Sequence, residues 1–356
     1  MSTDPAGAGE PSSTLVMAPT VAADSTLPRF AVSSAARAWA KEHQIAQRRP
    51  GKAALMLVAT AAWYAALVAL GEAIDAWWGW AIAWVGLVAV MMRIDAIHHE
   101  GVHRSLFENR AGNDVVATVT GALEGFHAPI YRCFHLAHHA LTRKSSDPSD
   151  PEDFYDEMIT SPMQVGPITL PARMSYVAGN LLGGITFAVQ LAIDAVATMF
   201  GRPPGYVRTA SLDRYVRRWG LLPFALWGAA IAGAVATGHV GELLRWWVVP
   251  MLLFLAGPYT FFALSEHYGA AHDGQMVEST GSVETNAVYR WITLDGNYHL
   301  AHHVFPNASW WWLRAADRQL QSDTTLHHDG YLAFHRQVWA DMGSTTRSKT
   351  TAAPNR

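Results

Sequence analysis

Seventeen histidines stand beside a single cysteine, Cys133, in this chain of 356 residues. Most of the imidazoles fall into compact runs. The first run holds His98, His99 and His103, the second His135, His138 and His139, and the third His299, His302 and His303. The second and third are spelled identically, His-Leu-Ala-His-His. Helical residues three and four apart share a face, so each HxxHH run projects three rings to one side, and His99 with His103 projects two. Imidazole sets of this kind suit Fe, Zn, Cu or Ni, and the near absence of Cys removes thiolate sites. Eight such nitrogens exceed the capacity of one ion and suffice for two. His267, in Ser265-Glu266-His267-Tyr268, is the natural ninth. A ligating His hands its other N–H to a carboxylate or carbonyl. Asp95 precedes His99 by one helical turn and Asp295 precedes His299 likewise, so both are expected as those acceptors wherever the segments are helical. His98, His127 and His272 are read as flanking the site, facing substrate or lying on a polar surface. His43, His239, His327, His328 and His335 are read as surface.

These runs must be held by something, and the apolar residues show what. Half the chain is apolar and only 15% is charged. Four stretches reach the length of about 20 residues needed to cross a bilayer as helix: Ala53 to Leu70, Trp77 to Met92, Trp219 to Thr237, and Trp246 to Leu264. Short connectors, Gly71 to Ala76 and Gly238 to Arg245, turn them into two hairpins. Arg48, Arg49 and Lys52 precede the first hairpin, Arg93 and Arg104 follow it, and Arg214, Arg217 and Arg218 precede the second. The positive-inside rule therefore puts both hairpin tips outside and the His runs, with both termini, in the cytoplasm. Trp77, Trp78, Trp80, Trp246 and Trp247 mark an aromatic belt. A fifth apolar stretch, Tyr176 to Phe200, carries Asn180, Gln190 and Asp194 and reads as an interfacial helix or lid. If it spanned, the His runs on either side of it would face opposite aqueous phases. The expected fold is thus an all-α integral membrane protein, two hairpins under a cytosolic helical cap. The membrane domain runs over residues 29–341, between unstructured tails at 1–28 and 342–356. No secretory signal is expected at the N-terminus.

With these residues in place, the chain resembles the membrane fatty-acid desaturase and hydroxylase superfamily from about Ala53 to His335. The resemblance rests on the HxxxH of His99 and His103 and on the two HxxHH boxes. It extends to their flanks: Ser105-Leu106-Phe107, Tyr131-Arg132, Thr142, Asp147-Pro148, Asn297-Tyr298 and Val304-Phe305-Pro306. It implies four transmembrane helices under a cap that holds two non-haem irons, with an acyl-chain tunnel leading to them and O2 as co-substrate. His267 matches the position of a further His ligand in that family.

The chemistry so implied is O2-dependent oxidation of an unactivated C–H bond in an acyl or lipid-like substrate, with desaturation as the expected outcome. The same boxes serve a hydroxylase or a carotenoid ketolase/hydroxylase. A membrane metal transporter or sensor is the reading from another class, but transport ligands sit within spans, and none of the boxes is expected there. No nucleotide fingerprint, haem module or Cys cluster is apparent, so electrons are expected from a separate donor, ferredoxin or cytochrome b5 with its reductase. Arg214, Arg217 and Arg218 are either its dock or plain topological anchors. A net charge of −3 offers no field for nucleic acid.

Overall fold

The computed structural model describes residues 32–144, 159–321 and 326–342. The expected tail at 1–28, nearly all of that at 342–356, and Asp147-Pro148 lie outside the described residues. Within them the chain is built almost wholly of helices.

The short α1 (Ser34–Glu42) is capped by the Ser33 hydroxyl, which accepts from the Ala36 N–H. It leads into α2 (Pro50–Ile74) and α3 (Trp77–His103). These two pack as an antiparallel hairpin whose turn is only Asp75 and Ala76, with Asp75 in the left-handed region (φ 42°). The second hairpin begins with α7 (Ala210–Trp219) and α8 (Leu221–Thr237), turns at Gly238 and returns through α9 (Val240–Leu243). A π-helical turn (Leu244–Val248) follows, then α10 (Val249–Leu255) and α11 (Pro258–His267). The stretch expected as one span from Trp246 to Leu264 is therefore interrupted twice. Gly257 takes φ 147° and Pro258 restarts the helix, because proline lacks the N–H that would continue the ladder. The hairpin tips are tied together: the Trp84 indole donates to the Arg245 carbonyl (2.8 Å) and the Arg245 guanidinium lies 3.9 Å from the Trp80 ring centroid.

Between the hairpins come α4 (Arg110–Glu124), α5 (Ala128–Leu141) and α6 (Ala172–Met199). A small antiparallel β-hairpin, β1 (Met163–Val165) and β2 (Ile168–Leu170), precedes α6. After α11 come α12 (Met276–Ser279), β3 (Ser282–Val283), α13 (Ala287–Thr293), α14 (His299–Val304) and a 3-10 turn at Trp310–Trp312. The described chain closes with α15 (Leu313–Arg318), β4 (His327–His328), paired parallel to β3, and α16 (Tyr331–Asp341).

Among the described residues five helical runs, not four, are long and apolar enough to cross a membrane: α2, α3, α6, α7–α8 and α9–α11. The stretch expected as an interfacial helix is thus an unbroken 28-residue helix, α6, whose length and composition would allow a crossing. Large apolar side chains point outward from these runs, among them Leu55, Val58, Val85, Leu221 and Val235. An apolar exterior of this extent is suited to lipid rather than water. The principal core lies where α3, α5, α6 and α10 meet, around Met91, Ile94, Phe126, Ile130, Phe134 and Leu255. This core braces the ends of the helices that carry the histidines.

Candidate metal centre

Helix α3 runs without interruption from the membrane-length segment into the first box, so His99 and His103 ride on its last two turns. The first box thus continues the helix of the stretch expected to span from Trp77 to Met92, beyond its expected end, while the second and third boxes lie on separate short helices. Arg104, in the left-handed region (φ 57°), ends α3 by returning its N–H to the carbonyls of Glu100 and Gly101. In α5 the His127 ring caps the N-terminus, its Nδ1 accepting from the Ile130 N–H at 3.4 Å, and Pro129 sits in the first turn. One face of α5 then carries His135, His138 and His139, all buried. The third box occupies nearly all of α14, anchored by the Ser282 hydroxyl, which accepts from the Leu300 N–H at 3.2 Å. His267 is the last residue of α11.

All nine expected histidines converge, and they divide into two groups. One holds His99, His103, His135, His139 and His302, the other His138, His267, His299 and His303. In each, the candidate ligand atoms lie within 4.8 Å of one another. The Nε2 of His135 lies 2.7 Å from that of His103 and 3.1 Å from that of His139, which is 2.9 Å from His302 Nε2. In the second group the pairs His138–His303 and His267–His299 each bring Nε2 atoms to 3.2 Å.

The donor chemistry fits a cation. His267 donates its Nδ1–H to the Ser279 carbonyl (2.9 Å), which leaves its Nε2 as a lone pair aimed at His299. Burial, reinforced by neighbouring imidazoles, pushes His135, His139, His299, His302 and His303 well below the usual histidine range, which favours the unprotonated form that a metal needs. A proton shared between two Nε2 atoms serves one pair at a time, whereas a cation between them serves every nitrogen of a group. Two ligands at right angles on bonds of about 2.1 Å sit about 3.0 Å apart, which is the spacing found between these nitrogens. Among the described residues the Nδ1 atoms of His139 and His303 are buried without hydrogen bonds, so the polar contacts of these rings run through Nε2.

The carboxylates behave differently from expectation. Asp295 does not lie one helical turn before His299. Leu294 and Asp295 both adopt left-handed backbone conformations (φ 54° and 58°), which break the helix between α13 and α14. Asp295 instead faces the Arg290 guanidinium at 3.7 Å. Asp95 does lie on α3, but its side chain groups with His98 and Glu124 and makes no hydrogen bond to His99 among the described residues. Glu266, which the spacing rules did not single out, brings Oε2 to 3.3 Å from His299 Nε2. Its place beside His267 was the only available signal. Glu124 lies on the buried face of α4 with Asn113, Ala117 and Gly121, and that periodicity could have found it.

The remaining histidines sort by packing. His98 is fully buried against Glu124. The His127 Nε2 bonds the Gly220 carbonyl at 2.8 Å, tying α5 to the start of α8. His272 lies beside Arg143. His335, expected at the surface, is buried: it bonds the Tyr176 hydroxyl and the Phe261 carbonyl and stacks on the Phe261 ring. His43, His239 and His327 are exposed, and His328 is half-buried.

A cavity of about 130 Å³ abuts both groups, touching His99, His135 and His302 of one and His138 and His299 of the other. Met92, Phe254, Tyr259 and Phe262 form its apolar wall, while Tyr289, Tyr331 and Asn297 supply polar atoms.

A multi-pass membrane architecture with buried polyhistidine clusters narrows the class, and sequence comparison agrees. The family model for fatty acid desaturase matches residues 75–335, so the chain belongs to the fatty acid desaturase family. It is also similar to dihydrorhizobitoxine desaturase of Bradyrhizobium elkanii, with 26% identity over 264 residues that cover 69% of each chain.

Proposed function

We propose that this protein is an O2-dependent di-iron membrane oxidase that introduces a double bond into an acyl chain or lipid-like substrate. One observation carries the reading: nine imidazoles divide five and four around two points, and a cavity touches both groups. His99, His103, His135, His139 and His302 would hold one iron, and His138, His267, His299 and His303 the other. When bound, the irons supply O2 activation and removal of hydrogen from an unactivated C–H bond.

The chain's own residues set the conditions. Burial disfavours protonation of His135, His139, His299, His302 and His303 and so keeps them available as ligands. The Ser279 carbonyl holds the His267 ring in one tautomer and orientation. Met92, Phe254 and Phe262 exclude water from the cavity and give an apolar segment of substrate its contact surface. Tyr131 stacks on His135 with centroids 5.5 Å apart and fixes that ring from the substrate side.

Electrons come from a separate donor, a ferredoxin or cytochrome b5 with its reductase. The site and both termini face the cytoplasm, as the positive-inside pattern requires. Contacts of α6 support its reading as an in-plane helix. Tyr176 near its start touches His335 of α16, Phe187 packs on Phe134 of α5, and the Met199 carbonyl at its end accepts from Arg217 of α7. Both ends and the middle of α6 thus meet elements at the level of the histidines.

The relative is named a desaturase, which favours double-bond formation over hydroxylation. The test is expression with a reductase system and mass spectrometry of lipids and small acids, with dihydrorhizobitoxine as an added probe. Loss of the mass of two hydrogens supports the proposal. Gain of the mass of one oxygen would reassign the chain to the hydroxylases.

A further inference from the structure

Arg93 lies in α3, about 24 Å along the helix from Trp77 at 1.5 Å per residue. It is therefore near the opposite edge of a hydrocarbon core about 30 Å thick. Its guanidinium is buried, donates to the Thr60 hydroxyl at 2.9 Å and lies 4.5 Å from the Trp291 ring centroid. It forms the floor of a groove of about 410 Å³, whose walls include Arg290, Trp291 and Trp311. Two more cations lie beside Trp311, outside the groove's own lining: the Lys52 ammonium and the Arg49 guanidinium are 4.9 and 5.7 Å from the Trp311 ring centroid. Among the described residues Asp295 is the one acid in the groove; it lies 3.7 Å from the Arg290 Nε, and Arg290 Nη1 donates to the Thr285 carbonyl, which leaves Nη2 for a further acceptor.

The surroundings of the groove are apolar and outward-facing. Val288 and Trp291, one turn apart on α13, are 67% and 52% exposed, and Leu55, one turn beyond Lys52 on α2, is 70% exposed. A soluble anion would find water around its site. Here the cations instead border surface fit only for lipid.

We propose that this groove binds the phosphate of an anionic membrane lipid, with Arg290 inside it and Lys52 beside its Trp311 edge as the cations that hold the headgroup, and the lipid's acyl chains lying along Leu55 and the exposed face of α13. Basic pockets between helices at the membrane surface recognise anionic headgroups in this way. Arg93, spent on Thr60 and the Trp291 carbonyl, shapes the floor and adds charge. Leu294 lines both this groove and the cavity beside the histidines, so a lipid held here sits one side chain from the candidate metal centre.

Native mass spectrometry of the purified full chain tests this, titrating phosphatidylglycerol, phosphatidylcholine of the same acyl chains, or inorganic phosphate. The expected result is one phosphatidylglycerol retained in preference to phosphatidylcholine, weakened about fivefold by Arg290→Gln and about twentyfold by Lys52→Gln with Arg290→Gln. Arg214→Gln with Arg217→Gln and Arg218→Gln removes more charge elsewhere and should leave retention unchanged. Equal retention of both lipids, or equal loss in that second set, overturns the site. Displacement of the lipid by millimolar inorganic phosphate overturns the lipid assignment in favour of a soluble anion. Arg93 is left intact, since its burial makes its replacement a test of folding.

Discussion

His302 and His138 belong to different imidazole groups, so replacing each probes one metal position separately. Both lie on short helices outside the five long runs. Each alanine variant is expected to insert normally, abolish turnover and lower iron from about two per chain toward one, read by elemental analysis. Retained turnover in either would sink the metal assignment. The two aspartates now separate. Asp295→Asn should leave metal content at the wild-type level, because the side chain answers Arg290 and not a ligand. A loss of iron in that variant would restore it to the site. Glu124 carries a pH signature of its own. Burial raises its carboxyl well above the usual range, so the folded protein keeps a proton that the unfolded chain releases. Its contribution to stability is therefore fully present below the ordinary carboxylate range and is lost as pH rises through the elevated folded value. Melting in detergent across that window should show a decline that Glu124→Gln flattens.

Among elements, α6 carries the clearest packing constraint. A β-carbon added at Gly184 would stand 2.5 Å from the Leu255 carbonyl oxygen of α10, a backbone atom with no room to yield. Small residues permit such close helix approach in membranes. Gly184→Ala should cost about 1–3 kcal/mol, seen as a lowered Tm, and an unchanged Tm would mean that α6 does not rest on α10. The docking of α16 is tuned by His335, which burial lowers to about 4. Its Nδ1 accepts from Tyr176 and its Nε2–H donates to Phe261, so protonation removes an acceptor. With the folded value below the unfolded value of about 6.5, the docking is whole above 6.5 and weakens as pH falls through about 4. Protease sensitivity at the α16 boundary should rise over that range, and His335→Gln should abolish the dependence. The slope is opposite to that of Glu124, so the two variants check each other. None of this was legible in the sequence: His335 reads as a polar residue near a chain end, and only the approach of α6 and α11 buries it.

For the whole molecule the open quantity is topology. The candidate metal centre joins the end of α3 to the end of α11, and His127 ties the start of α8 to α5 at the same level. With those points on one side, the proposed topology has α6 begin and end on that side, giving four crossings from five eligible helices. Single cysteines placed at Gln164 and Arg208 in a Cys133→Ser background should label from the same face of the membrane. Labelling from opposite faces would establish five crossings. Replacing Cys133 is tolerable because its thiol is buried and its nearest polar contact is the Pro129 carbonyl at 3.5 Å.

Local chemistry explains what could be read ahead of the fold. The nine histidines, the hairpin cores and the family follow from spacings of three and four residues and from runs of apolar side chains, both properties of a contiguous stretch of helix. What decided the rest was contact between stretches far apart in the chain. The division of nine imidazoles into five and four interleaves α3, α5, α11 and α14, so that His138 and His139, neighbours in sequence, serve different groups. Asp95 and Asp295 have identical offsets from a histidine, yet two left-handed residues separate Asp295 from its helix, and Glu124 draws Asp95 away. Spacing states which side chains can share a face. Only packing states what that face meets.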